Sequence, residues 1–207
     1  MKTLVHNPEM GNLRELVAEL LEEVRRVDPS AIDVVRPGVP PERVERRFAA
    51  LPYEISPDAA ALYQVLNCAE PLLLGILPGT ELIGFDRAFQ EFEEIHGIRD
   101  ELEEICPEPY RDCFRFLTDR ADGGYAFGRI DSPSRGQIIS LEIHAPWMLA
   151  FASLDQLLKT SIECYRQGIL RAESEPADFH AYYRLAATMN PEMEKWTDWQ
   201  RRRSLYE

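Results

Sequence analysis

The fold of this chain is decided by residues 113–130, which read CFRFLTDRADGGYAFGRI. Phe114 and Phe116 alternate with Arg115, which is the two-residue period of a half-buried strand. Asp122-Gly123-Gly124 follows, and its glycines can adopt the positive φ angles of a hairpin turn. The stretch therefore predicts two antiparallel strands, and residues 125–130 form the returning strand.

Two more strands are predicted after this hairpin. Residues 137–144 alternate apolar and polar side chains, apart from one extra isoleucine, and residues 147–151 form a short apolar run after Pro146. Only short turns separate these segments, so the strands are expected to pair as an antiparallel meander.

Helices are predicted both before and after the strands in the sequence. Apolar residues recur at three- and four-residue steps over 12–27, 41–51, 59–67 and 86–96, between Ser153 and Gly168, and over 178–189. Asn12 and Ser153 are the expected N-caps, and Gly168 is the expected C-terminal cap. This order predicts an α+β fold in which helices flank a central antiparallel sheet of about four or more strands.

Breaks in the helix and strand patterns predict three regions along the chain. Residues 1–38 are expected to form an N-terminal helical extension with a linker, residues 39–170 an α+β domain, and residues 171–207 a C-terminal helical extension packed on that domain. Pro37, Gly38, Pro40 and Pro41 separate the first region from the second. The apolar face of helix 12–27 needs a cover, which either the domain or a second copy of the chain can supply.

Composition and charge exclude several classes of function. The 207 residues carry 36 acidic and 23 basic side chains, and the formal net charge of −13 repels nucleic acids and anionic lipids. No uncharged stretch reaches the roughly 20 apolar residues that a membrane-spanning helix needs. The N-terminus lacks the apolar core of a secretion signal, so we expect a cytoplasmic protein.

The sequence contains none of the common catalytic or cofactor motifs. A phosphate-binding loop, a dinucleotide fingerprint and a nucleophile elbow are all missing. Cys68, Cys106, Cys113 and Cys164 have no metal-ligand spacing and are expected to be buried thiols. We therefore expect neither a metal nor a cofactor.

The strongest local charge feature is an acidic run that only Arg99 interrupts. Its carboxylates favour either a solvated helix face or a docking surface for a basic partner, and the sequence alone leaves both open. The run comprises Glu91, Glu93, Glu94, Asp100, Glu101, Glu103 and Glu104.

A second class of function is a small-molecule binder or a hydrolase with a pocket beside the sheet. Its candidate residues are Glu81, Asp86, Asp122 and His144, since polar side chains at turn-rich strand ends often form sites. Each also has an ordinary structural explanation: Glu81 can cap a turn, Asp86 can be the N-cap of its helix, Asp122 can belong to a hairpin turn and His144 can end a strand.

Short motifs follow one another in a defined order between about Val39 and Gly168. Leu51-Pro52 precedes Leu62-Tyr63 and Asn67, and then comes Leu77-Pro78-Gly79-Thr80-Glu81-Leu82. The strands add Phe114 to Thr118, Asp122-Gly123-Gly124-Tyr125 and Gln137 to Ile139, and the following helix adds Ser153-Leu154, Leu157-Leu158, Glu163-Cys164-Tyr165 and Gly168. This order resembles the SUKH superfamily, which includes the fungal Smi/Knr cell-wall regulators.

The resemblance implies an α+β binding module without a shared catalytic centre. Many bacterial members of the superfamily look like immunity proteins that neutralise toxins, often nucleases. We therefore expect a non-enzymatic protein that binds a protein partner, as an immunity-type or regulatory scaffold protein. A basic toxin or nuclease is the expected partner, because it complements the acidic charge. Homo-oligomerisation through the N-terminal helix remains open.

Overall fold

A computed structural model describes residues 8–33, 35–68, 76–77, 79–97, 113–119, 123–141, 147–170 and 179–203. In chain order the elements are α1 (Pro8–Val27), a 3₁₀ helix (Pro29–Ile32), β1 (Val35–Pro37), α2 (Pro41–Phe48), α3 (Pro57–Val65), β2 (Leu66–Cys68), β3 (Thr80–Leu82), α4 (Phe85–Gly97), β4 (Cys113–Asp119), β5 (Gly124–Gly128), β6 (Ile138–Leu141), β7 (Met148–Phe151), α5 (Leu154–Arg166), α6 (Phe179–Met189) and α7 (Glu194–Arg203). The predicted α+β class is confirmed.

The central sheet has five antiparallel strands in the order β3-β4-β5-β6-β7. All four predicted strands are present, and the short strand β3 is added at one edge by pairing with β4. Gly124 has a φ of +144° where β5 begins, and a Cβ there would collide with the carbonyl oxygen of Leu117. Glycine is therefore required at the start of the returning strand.

An aromatic core joins α4 to the sheet. Phe114 of β4 lies with its ring centroid 4.9 Å from that of Phe89 and 5.0 Å from that of Phe48. The apolar stripe of α4 predicted from its spacing is thus buried against β4, and it comprises Phe85, Ala88, Phe89 and Phe92. Helix α2 closes this core from outside through Phe48.

Helix α1 packs inside the same chain. Its apolar face lies in the main hydrophobic core, where α1 contacts α5 and α3. The apolar face of α1 is therefore covered by other elements of the same chain, which the sequence alone did not decide. The predicted start of the helix is wrong, because α1 begins at Pro8 and Asn12 lies within it. The Asn12 side chain donates instead to Asp155 at the start of α5.

The helix after the sheet, α5, forms as its capping residues predict. The Ser153 hydroxyl accepts the Gln156 N–H at 3.3 Å, and Gly168 adopts a φ of +69° just after the helix. Asp58 of α3 adds a further bond, because its carboxylate accepts the Leu154 N–H at 2.9 Å. These contacts fix the orientation of α5 relative to α3.

Two short strands appear where the sequence predicts none. Strand β1 lies within the proline-rich connector, and β2 occupies the residues expected to end the third helix. Asn67 therefore lies in β2, where its side-chain oxygen accepts the Phe85 N–H at 3.0 Å. Asn67 thus satisfies the first N–H of α4, and Asp86 is not the N-cap but lies in the first turn.

The described part of the predicted C-terminal extension contains α6 and α7. Trp196 is fully buried and donates its indole N–H to the Ala150 carbonyl at 2.5 Å, while Trp199 is half-buried and stacks on Tyr183. Arg201 lies near the end of α7. Among the helices that the structure describes, none has the length and apolar composition needed to cross a membrane.

Candidate binding surface on helices α2 and α4

Helix α4 carries the first three residues of the acidic run. Glu91, Glu93 and Glu94 lie in its second half, and the other four, Asp100, Glu101, Glu103 and Glu104, are outside the described residues. The three described carboxylates have different surroundings, so they contribute differently to a binding surface.

Glu91 points toward the protein rather than into solvent. Its side chain is 15% exposed, and its carboxylate lies 3.0 Å from Arg87 Nε and 3.8 Å from Arg115 Nη1. Arg115 extends from β4, so this carboxylate joins α4 to the sheet. Glu91 is consequently held in place by two guanidinium groups of its own chain.

Glu93 is exposed and binds an arginine of the neighbouring helix. Its Oε1 lies 3.4 Å from Arg47 Nη2, and the Arg47 guanidinium also lies over the Phe89 ring, 4.5 Å from the centroid. Asp86 repeats this arrangement about two helix turns earlier: its Oδ1 lies 2.5 Å from Arg43 Nη2, and Arg43 lies 5.5 Å from the centroid of Phe85. Two arginines of α2 are therefore each held by a carboxylate and an aromatic ring of α4.

Glu94 presents its carboxylate in the last turn of α4. The side chain is exposed, and its Oε1 accepts the Gln90 amide N–H at 2.8 Å. The C-terminal end of a helix is the negative end of its dipole, where carboxylates are unfavourable by typically 0.3–1 kcal/mol. Glu93 and Glu94 therefore concentrate negative potential at this end of α4.

We call this surface the α2–α4 face and define it by Arg43, Arg47, Asp86, Gln90, Glu93 and Glu94. The aromatic core beneath it keeps the backbone positions of these side chains fixed, because Phe85, Phe89 and Phe92 are buried. The sequence missed the two arginines, although their i, i+4 spacing on α2 indicates that they share one side of the helix.

Two of the four alternative pocket residues, Asp86 and Glu81, lie among the described residues. Asp86 is exposed on the α2–α4 face and paired with Arg43. Glu81 is half-buried in β3, opposite Thr118 of β4. Asp122 and His144 lie outside the described residues. Among the residues described, no three His, Cys, Asp or Glu side chains form a group that can hold a metal ion.

The residues that carry the family resemblance lie mainly in the core. Leu62, Tyr63, Leu82, Leu154 and Tyr165 are buried, whereas Leu51 and Glu163 are half-buried and Pro52 and Gly79 are exposed. The Tyr63 hydroxyl donates to the Ile83 carbonyl at 2.9 Å, and burial raises the pKa of Tyr63 well above its usual value. These positions hold the fold together; Pro78 lies outside the described residues.

The described cysteines behave as buried thiols, as predicted. Cys68, Cys113 and Cys164 are buried and free of disulfides, while Cys106 lies outside the described residues. Burial, with the nearby Glu163 carboxylate, raises the pKa of Cys164 to about 12. Its thiol is therefore neutral at physiological pH, which is unfavourable for nucleophilic chemistry.

Comparison with known proteins assigns no family, because the sequence matches neither a protein-family model nor a curated protein. The resemblance to the SUKH superfamily therefore stays a prediction.

Proposed function

We propose that this protein is a non-enzymatic binding module that recognises a basic protein partner through its α2–α4 face. One observation carries the proposal: exposed carboxylates of α4 already bind guanidinium groups, those of Arg43 and Arg47 in the neighbouring helix. The face therefore has the chemistry and geometry to bind arginine side chains. A partner that presents arginines would compete for the same carboxylates.

Such an exchange costs little free energy. Asp86 and Glu93 are 73% and 67% exposed, and ion pairs this exposed typically contribute about 0–1 kcal/mol to stability. A partner guanidinium can replace an internal one while the aromatic core beneath stays intact. Binding thus requires side-chain rearrangement only.

The sequence that follows α4 is also acidic. Residues 98–112 contain Asp100, Glu101, Glu103, Glu104, Glu108 and Asp112, against Arg99 and Arg111. Together with the net charge of −13, this excess accelerates association with a basic protein and disfavours acidic competitors. The acidic run and the α2–α4 face are proposed to form one working surface.

An immunity-type or regulatory scaffold role is part of the same proposal. It is supported by the resemblance to the SUKH superfamily and by the complementarity between an acidic inhibitor and a basic toxin or nuclease. Partner and protein would form a salt-sensitive complex, because charge pairs at an exposed surface are screened by ions.

Affinity capture from the source cell tests this proposal. The bait is the full chain, as wild type and as the double variant Glu93→Lys with Glu94→Lys. We expect wild type to retain a saturable basic partner at low salt and the variant to lose it, with an affinity reduced about 100-fold or more, since charge reversal places like charges opposite each other.

The matched control is the double variant Glu15→Lys with Glu22→Lys. Both residues are exposed on α1, Glu22 is ion-paired with Arg25, and the change in net charge is the same. A partner that the control keeps and the α4 variant loses supports the face. Equal loss in both variants, retention in both, or failure of wild type to capture a saturable partner would contradict the proposal.

A further inference from the structure

Strand β7 forms one edge of the central sheet. Among the strands that the structure describes, it pairs with β6 alone, so backbone groups on its outer side have no strand partner there. Such an edge is a template for pairing with a strand of another chain. Its sequence, MLAF, contains neither a charged residue nor a proline, the side chains that commonly discourage such pairing.

Helix α7 covers this edge and takes two of its backbone groups. The Glu194 carboxylate accepts the Leu149 N–H at 3.2 Å, and the Trp196 indole N–H donates to the Ala150 carbonyl at 2.5 Å. Both side chains belong to the first turn of α7. One donor and one acceptor of β7 are therefore satisfied by side chains of a helix, where a further strand would supply backbone groups.

The register of β7 explains why the Ala150 carbonyl bonds to α7. The two neighbours of Ala150 lie opposite Ile139 and Ile138, which are consecutive residues of β6, so Ala150 has no register partner on that strand. Ala150 and Phe151 both lie in the main core, although neighbouring strand residues normally point to opposite faces. This bulge leaves the carbonyl to Trp196.

We propose that the outer edge of β7 is a binding surface for β7 of a second copy of this chain, and that α7 keeps this surface closed. Two identical edges are self-complementary about a two-fold axis, since two residues directly opposite each other in an antiparallel pair can exchange both N–H···O bonds. When α7 leaves, the Leu149 N–H loses its acceptor, and a second copy supplies a new one. No charge on β7 opposes this pairing.

The position of α7 depends on a few specific contacts. Its only apolar residues are two tryptophans, of which Trp196 is fully buried. Lys195 adds hydrogen bonds to Ser140 Oγ at 2.6 Å and to the Tyr125 hydroxyl at 3.4 Å, while Glu194 is exposed. Docked and undocked α7 are two states in equilibrium, and the loss of an anchoring bond raises the fraction with an open edge.

The test variant combines Glu194→Met with Trp196→Phe in the full chain. It removes the acceptor of the Leu149 N–H and the donor to the Ala150 carbonyl, but keeps a side chain of similar length at 194 and an aromatic ring at 196. Because two hydrogen bonds that hold α7 are lost, the constant for self-association should rise at least about tenfold. Sedimentation velocity over a range of protein concentrations measures it.

The matched control combines Glu194→Gln with Trp199→Phe. It makes the same change of charge and the same aromatic substitution, but glutamine keeps an acceptor oxygen and Trp196 keeps its indole N–H. Trp199 is half-buried and stacks on Tyr183. We expect this variant to self-associate no more strongly than wild type.

Hydrogen exchange of the Leu149 amide tells whether the association uses β7. At low protein concentration this amide should exchange at least about tenfold faster in the test variant than in the control, since its bond to α7 is lost. Exchange should slow again as the concentration rises, because a second copy then accepts the N–H. A general loosening of the sheet would instead speed exchange at every concentration.

If the double substitution prevents folding, Glu194→Met alone gives the same test at an exposed position, with Glu194→Gln as its control. One hydrogen bond is then lost, and the expected rise in self-association is about threefold.

Three results would overturn the proposal. One is equal self-association of the test variant and its control up to about 1 mM, beyond which a contact is too weak to be specific. Another is equally slow exchange of the Leu149 amide in both variants at low concentration. The third is self-association during which the exchange of this amide does not depend on concentration, because the contact then lies elsewhere.

Discussion

Replacing Trp196 by alanine is expected to lower the free energy of unfolding by about 3–5 kcal/mol, as for other fully buried aromatic residues. The indole is completely buried, packs edge-to-face on Phe151 and Tyr182, and donates to the Ala150 carbonyl. Its removal leaves a cavity between α7 and the sheet and an unsatisfied carbonyl where β7 is irregular. Urea unfolding followed by circular dichroism measures the loss.

Trp199→Ala is the matched control for this prediction. The same residue type lies one helix turn later in α7, but it is half-buried and stacks on Tyr183. We expect it to cost about 1–2 kcal/mol, within the ordinary range for point substitutions. Equal costs for the two tryptophans would mean that α7 does not dock through Trp196.

Phe114→Ala is expected to destabilise the protein by a similar amount, about 3–5 kcal/mol. Phe114 is fully buried at the centre of the aromatic core, and four other rings lie with centroids 4.9–6.2 Å away: those of Phe48, Tyr63, Phe89 and Phe92. The cavity would loosen α2 and α4 together, because both pack on this ring. Urea unfolding again gives the free energy.

Phe179→Ala provides the comparison for Phe114. Its side chain is 40% exposed at the start of α6, so its loss should change the stability by only about 0.5 kcal/mol. If Phe114→Ala were as mild as Phe179→Ala, the aromatic core would not be what holds the α2–α4 face.

The elements that the sequence predicted well are those whose information is local. The alternation around Phe114 and Phe116 identified β4, and the cap residues Ser153 and Gly168 identified the limits of α5. In each case the period of the side chains or the chemistry of a cap lies within the element itself. Neither depends on knowing which distant segment lies next to it.

The elements that could not be predicted from the sequence depend on contacts with segments distant along the chain. Strands β1, β2 and β3 are three residues long, too short for a period, and exist because another strand pairs with each. Helix α7 has few apolar residues, and its position is set by Trp196 packing on β7. Asn12 shows the same effect, since tertiary contact with Asp155 replaced its expected role as a cap.

The same difference between local and distant information applies to the α2–α4 face. The acidic run was visible in the sequence, but its internal partners were not, because Arg43 and Asp86 are 43 residues apart and Arg47 and Glu93 are 46 apart. The contacts of Lys195 with Ser140 and Tyr125 were missed for the same reason. These groups come from α7, β6 and β5, and only the sheet register places Tyr125 beside Ser140.

In the proposed mode of binding, a basic partner takes the carboxylates that now bind the arginines of α2. Calorimetric titration of the captured partner into wild type, Arg47→Gln and Arg46→Gln measures this exchange. Both substitutions remove one positive charge from an exposed position of α2, but only Arg47 is paired with Glu93.

Removing the internal competitor Arg47 should tighten the complex about threefold relative to Arg46→Gln, the equivalent of roughly 0.7 kcal/mol for an exposed ion pair. If Arg47→Gln bound the partner no more tightly than Arg46→Gln, or more weakly, Glu93 would not be exchanging one guanidinium for another, and the account of the α2–α4 face would be contradicted.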